Sequence, residues 1–130
     1  MDTIIFPRSG DLPLEFTGEI LFAQNTNNKK NCTRYHELQL ARTAGGTYVA
    51  AVAFRALRDG DYDYDWAKAG SAEEIAAWIK AFDPNCVLLG FPLGERNEEK
   101  QRRLELDIRL RFEEKATLLL RELGITERIE

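Results

Sequence analysis

Apolar and polar residues alternate along the first half of the chain, as in strands that bury one face. Runs of this kind cover residues 12–23, 35–42, 47–57 and 61–68. Between the second and third runs lies 43–46, whose paired glycines Gly45 and Gly46 are typical of a hairpin turn. The positions of the first run that we expect on one buried face are Leu14, Phe16, Gly18, Ile20 and Phe22. The pattern predicts a four-stranded antiparallel meander.

The fourth run separates aromatic from acidic residues. Tyr62, Tyr64 and Trp66 fall on one face of this predicted strand, and Asp61, Asp63 and Asp65 fall on the other. We expect the acidic face to be in water, because charges on an edge strand discourage aggregation between sheets. The aromatic face is expected to pack under a helix, with a binding platform as the alternative.

A helix is predicted directly after the last strand. Ser71 is a preferred N-cap residue, and Glu74 stands three residues later, as a capping box requires. The apolar stripe that follows at helical spacing consists of Ile75, Trp78, Ile79 and Phe82. Pro84 ends the pattern, because the residue before a proline is disfavoured in the helical conformation.

Residues 104–112 alternate perfectly, so their pattern alone predicts a strand. Their charges indicate a helix instead, because acidic residues stand four positions before basic ones, which stabilises a helix by about 0.2–0.5 kcal/mol per pair. The four such pairs are Glu98 with Arg102, Glu99 with Arg103, Glu105 with Arg109, and Asp107 with Arg111. We therefore predict one helix over 96–123, capped by Gly124.

The predicted C-terminal helix is apolar on two sides. One stripe comprises Leu104, Ile108, Phe112, Ala116, Leu119 and Leu123. Leu106, Leu110 and Leu120 lie on roughly the opposite side. Because one sheet cannot cover both sides, either the first helix or a partner chain covers the second. The partner hypothesis is a homodimer with these three leucines in its interface, since two-fold pairing is the commonest oligomeric arrangement.

Composition bounds the class of protein. The 130 residues, 44% apolar and 31% charged, suit a single α+β domain spanning 1–130. A net charge of −4 disfavours general nucleic-acid binding, although a local basic patch stays open. The widely spaced Cys32 and Cys86 fit no zinc or redox motif. A basic leader and an apolar run of about 20 residues are both lacking in the sequence, so we expect a cytoplasmic protein that does not cross a membrane.

Few residues suggest chemistry. His36 is the only histidine, and a small nuclease or hydrolase could use it as an acid or base. It shares its strand face with Leu38 and Leu40, which favours a structural role instead. The aspartates at 59, 61, 63 and 65 fit no register of a calcium loop, so neither a metal nor a cofactor is predicted.

A basic loop supplies the nucleic-acid alternative. Basic and aromatic side chains gather there, a combination that can hold phosphates and stack a base. Its residues are Lys29, Lys30, Arg34 and Tyr35. Because no catalytic set is complete, our first hypothesis is a non-enzymatic accessory or regulatory protein of a prokaryotic cell. It would self-associate through the C-terminal helix, and nucleic-acid binding and His36-dependent hydrolysis are the two alternatives.

Overall fold

The computed structural model describes residues 1–27, 34–56, 63–86 and 98–124. In these parts of the chain, the strands are β1 (Asp2–Phe6), β2 (Leu14–Asn25), β3 (Arg34–Thr43), β4 (Tyr48–Ala56) and β5 (Tyr64–Gly70). The helices are α1 (Ala72–Ala81) and α2 (Glu98–Glu122). All five strands form one antiparallel sheet in chain order. The α+β prediction is confirmed, but the predicted four strands are wrong because β1 adds a fifth.

The alternation pattern missed β1 because its apolar residues are contiguous. Ile4, Ile5 and Phe6 follow one another, and a short run of this kind carries no period. The strand pairs with the first half of β2, where Ile4 lies opposite Phe16. Pro7 follows the strand directly, as expected of a residue that has no backbone donor for the sheet.

A β-bulge divides β2 into two parts. Ile20 lies opposite Ala41, whereas Phe22 lies opposite Leu40, so Leu21 is an extra residue on its strand. One extra residue reverses which face the following side chains occupy. The prediction that the apolar residues of β2 share one face is therefore wrong: Phe22 joins the face that the helices cover, and the earlier positions lie on the other.

The helices cover one face of the sheet, which we call the helix-covered face. Its strands contribute Phe22, Leu38, Leu40, Ala50, Val52 and the partly buried Trp66. The helices contribute Ile75, Ile79, Phe112, Ala116 and Leu119. The predicted stripe of α1 is confirmed, because Ile75 and Ile79 are buried while Trp78 and Phe82 pack against the same core. Of the three aromatic residues predicted to pack under a helix, Trp66 does so, edge-on against Phe82 at 5.0 Å. Tyr64 is exposed, and Tyr62 lies outside the described residues.

The opposite face is concave, because the sheet curls until its two edges approach each other. Just after β1, the Ser9 backbone N–H donates to the Asp65 carbonyl at 2.8 Å, and Ser9 Oγ accepts from the Asp65 N–H at 2.9 Å. Mostly small side chains line this concave face, namely Ala41, Val49 and Ala51, with Phe6 packed over them. Gly18 permits the close approach of β2 to β3, because a β-carbon there would collide with the Arg42 carbonyl.

Local capping and turn signals are confirmed. Gly46 has φ 91° in the hairpin between β3 and β4. Ser71 and Glu74 form both hydrogen bonds of the capping box at the start of α1, each at 3.2 Å. Gly124 has φ 75° just after α2, the conformation of a helix C-terminal cap.

The alternating segment 104–112 lies inside α2, so the helical prediction is confirmed. Two of the four charge pairs predicted for α2 form, Arg103 with Glu99 and Arg111 with Asp107, each at 2.7 Å. Arg109 instead lies 3.7 Å from Asp83, beyond the end of α1. Within the described residues, neither helix is long and apolar enough to cross a membrane.

Candidate functional site

Two leucines project from α2 on the side away from the sheet. Leu106 and Leu110 stand one helical turn apart, and each is 56% exposed. The opposite side of α2 is buried through Ile108 and Phe112, so the helix is apolar on both sides, as predicted. We call the surface around Leu106 and Leu110 the outer face of α2.

Leu120, the third predicted interface residue, does not share the exposure of the other two. It is partly buried against the core that the two helices form with the sheet. It also lines a groove of about 310 Å³ between the helices, together with Phe82 and Ala116. The first helix therefore covers this end of α2, and the outer face is limited to Leu106, Leu110 and their neighbours.

Charges flank the outer face in a regular order. Arg102 and Arg103 precede the two leucines by one turn, and Glu113 and Glu114 follow them by one turn. All four side chains are exposed. The outer face therefore has a basic half toward the start of α2 and an acidic half toward its end.

His36 lies in the core, only 2% exposed. Its ring meets Phe54, Phe82 and Phe112 edge-on, at centroid distances of 5.2, 6.4 and 5.3 Å. Its placement on the face of Leu38 and Leu40 is as predicted. Among the described residues, His36 Nε2 has no hydrogen-bond partner.

The surroundings of His36 favour the neutral ring. Burial first, and then the positive charge of Arg111, lower the pKa of His36 to about 4, although the backbone carbonyl of Pro84 acts in the opposite direction. A ring enclosed by three phenylalanines is poorly placed to meet a substrate. This environment favours packing as the role of His36, and its catalytic use stays an untested prediction.

A cavity of about 320 Å³ lies on the concave face. Arg55 crosses its charged end, where its Nη2 donates to Asp65 Oδ1 at 2.9 Å and its Nε lies 3.8 Å from Glu37 Oε2. Burial opposes the charge of Arg55, but the hydrogen bond to Asp65 and the nearby carboxylates raise its pKa above the usual value. The predicted wet acidic face is found in part: Asp63 is exposed, whereas Asp65 is partly buried in an ion pair with Arg55.

Some of the other residues that the sequence singled out lie outside the part of the chain that the structure describes. Lys29 and Lys30 lie outside the described residues, while Arg34 and Tyr35 begin β3 and are partly buried. Asp59, Asp61 and Cys32 also lie outside them, and Cys86 is exposed in the turn after α1. In the parts of the chain that the structure describes, no group of three or more His, Cys, Asp and Glu residues could hold a metal ion.

Sequence reasoning missed the cavity and its ion pairs. Glu37, Arg55 and Asp65 stand on three strands at positions that alternation assigns to the face opposite the helices. The available signal was Arg55 following Ala51 and Ala53 on the same face of β4, since small residues leave room beside a charge. Comparison of the chain with models of protein families, with curated proteins and with solved structures finds no match.

Proposed function

We propose that the protein is a small non-enzymatic accessory protein that self-associates through the outer face of α2. The observation that carries the proposal is the exposure of Leu106 and Leu110, 56% each, on a helix whose other side is buried in its own core. Exposed single apolar residues are ordinary, but two in register on one helix face provide the centre of a helix–helix contact.

Charge complementarity indicates that the partner is a second copy. In an antiparallel pair of α2 helices centred between the leucines, Leu106 faces the partner's Leu110. Arg103 then faces the partner's Glu113, and Arg102 faces the partner's Glu114. A parallel pair in register would instead place arginine against arginine and glutamate against glutamate, which is repulsive. The outer face therefore matches itself in one orientation only.

The exposed leucines also set the expected strength of this contact. Stable protein interfaces bury about 1,200–2,000 Å² in total, and two half-exposed leucines per chain provide only the centre of such an area. The flanking ion pairs are exposed and add little affinity, but they select the orientation. We expect a reversible dimer with a dissociation constant of roughly micromolar or weaker.

The leucine test is sedimentation velocity over a concentration series. The wild-type chain should pass from monomer to dimer as concentration rises. Leu106→Glu combined with Leu110→Glu should weaken association by at least about tenfold, since charges would replace the apolar centre. Leu12→Glu is the matched control, because Leu12 is an exposed leucine outside this surface. A strictly monomeric wild-type chain, or a double variant that dimerises like the control, overturns the proposal.

The orientation is tested by exchanging charges. Arg102→Glu with Arg103→Glu makes one variant, and Glu113→Lys with Glu114→Lys makes the other. Each variant alone should dimerise more weakly than the wild type, because like charges would then face each other. An equimolar mixture should restore the dimer, since every flanking pair becomes opposite in sign again. A mixture that associates no better than its components contradicts antiparallel pairing, even where the leucine test succeeds.

A further inference from the structure

The cavity on the concave face is independent of α2 and is built by the curl of the sheet. Ala51 and Ala53 line it from β4, while Ile4, Ile5 and Phe6 line it from β1. The two hydrogen bonds between Ser9 and Asp65 hold the chain after β1 against β5, so the cavity has walls on both sides. Its volume of about 320 Å³ is near the lower limit of cavities that hold small molecules, roughly 300 Å³.

One end of the cavity carries more negative than positive charge. Glu37 and Asp65 flank Ala53, because both lie directly opposite it on the neighbouring strands. Arg55 is the basic residue between them. Asp63, just before β5, also stabilises the positive charge of Arg55. Among the described residues, two carboxylates and one guanidinium line this end, and the Asp63 carboxylate acts on the same guanidinium, so their summed charge is negative. An anionic ligand would have to compete with carboxylates that already hold Arg55.

Glu37 is the carboxylate with unused hydrogen-bonding capacity. Asp65 accepts a hydrogen bond from Arg55 at 2.9 Å, and Asp63 accepts one from the Ala56 backbone at 3.3 Å. The contact of Glu37 with Arg55, at 3.8 Å, is an ion pair beyond hydrogen-bonding distance. Within the described residues, neither Glu37 nor the neighbouring Gln39 forms a side-chain hydrogen bond, and both line the cavity.

The other end of the cavity is apolar and accessible. Ile5 and Ile20 both line it and are exposed, although large aliphatic side chains are usually buried. Phe6 closes the cavity where it meets the apolar cluster of the concave face. The cavity therefore offers an apolar wall for the body of a ligand and a carboxylate for its charged group.

We propose that this cavity binds a small organic cation, namely an amine or guanidinium group carried on an apolar body. The cationic group contacts Glu37 and the Gln39 amide oxygen. The apolar body lies between Ile20 and the alanines of β4. The proposal adds a ligand site to the proposed self-association and does not depend on it.

The test is a titration of the ¹⁵N-labelled full-length chain followed by amide chemical shifts at pH 7. The probe is 3-phenylpropylamine, and 3-phenylpropionate is the matched anion of similar shape. The amine should shift the amides of Ala53 and Asp65 saturably, with a dissociation constant below about 1 mM, and should bind at least about tenfold more tightly than the anion. Equal binding of the two probes, or no saturable shift with the amine, overturns the proposal.

Two substitutions place the amine in the cavity. Glu37→Gln should weaken amine binding at least about fivefold, because it removes the charge but keeps the shape. Glu19→Gln is its matched control, since Glu19 is an exposed carboxylate of β2 that pairs with Arg42 outside the cavity. Ala51→Leu should abolish amine binding by filling the space. If the Ala51→Leu chain does not fold, the Glu37→Gln variant still tests the proposal. Unchanged amine affinity of the Glu37→Gln variant contradicts the proposed contact.

Discussion

The two faces of the sheet are buried in different ways, and β4 contributes residues to both. Its residues Ala50 and Val52 face the helices and are almost fully buried. Between them and after them, Ala51 and Arg55 face the concave side, where no helix of the described residues packs. The helix-covered face is filled by large side chains from a second layer. The concave face is closed only by the curl of the sheet, which leaves a cavity.

This difference shows how curling can substitute for a second layer. A sheet that is to fold over itself needs small residues on its inner side, and β4 provides Ala51 and Ala53 there. The bulge at Leu21 increases local twist and allows one strand to serve both faces. A face built in this way has space for a charged group such as Arg55, whereas the one buried histidine described on the helix-covered face, His36, is enclosed by phenylalanines.

The largest expected effect is on the helix-covered face. Phe54 is fully buried and packs against His36 at 5.2 Å. Phe54→Ala should lower the free energy of unfolding by about 3–5 kcal/mol, since it removes apolar contacts and leaves a void. Ile20→Ala, on the exposed margin of the concave cavity, should cost about 1 kcal/mol or less. Urea unfolding of both variants measures the contrast, and similar losses would show that the faces are equally packed.

An intermediate effect comes from protonation of His36 on the same helix-covered face. Its pKa falls from the usual 6.5 to about 4 on folding, so the unfolded chain binds a proton between these values while the folded chain does not. Stability should therefore fall as pH drops through this window, by about 2 kcal/mol between pH 7 and pH 5. His36→Leu should remove this part of the pH dependence. A wild-type and variant pair with the same pH dependence would contradict a buried neutral histidine.

Much of the fold followed from local signals in the sequence. The Gly45-Gly46 hairpin and the Ser71 capping box depend on neighbouring residues, and charge pairs four apart distinguished helix from strand in α2. The position of Leu106 and Leu110 opposite the buried stripe of α2 also followed from helical periodicity. These features need no knowledge of distant contacts, which is why a single sequence could reveal them.

The concave face could not be predicted in the same way. A single extra residue at Leu21 changes the face of every later position in β2, yet alternation continues on either side of it. The contact of Ser9 with Asp65 joins residues 56 positions apart, and contacts of this kind show that the sheet curls. Glu37 and Arg55 line one cavity because of this curl, which alternation does not reveal.

The most direct test of the contrast between the faces is one substitution made at two adjacent residues of β4. Ala50→Leu adds bulk to the filled helix-covered face and should lower the free energy of unfolding by about 1–3 kcal/mol or more. Ala51→Leu directs the same bulk into the cavity of about 320 Å³ and should change that free energy by less than about 1 kcal/mol. Urea denaturation of the two variants gives both values. A loss for Ala51→Leu that equals or exceeds the loss for Ala50→Leu would contradict the account.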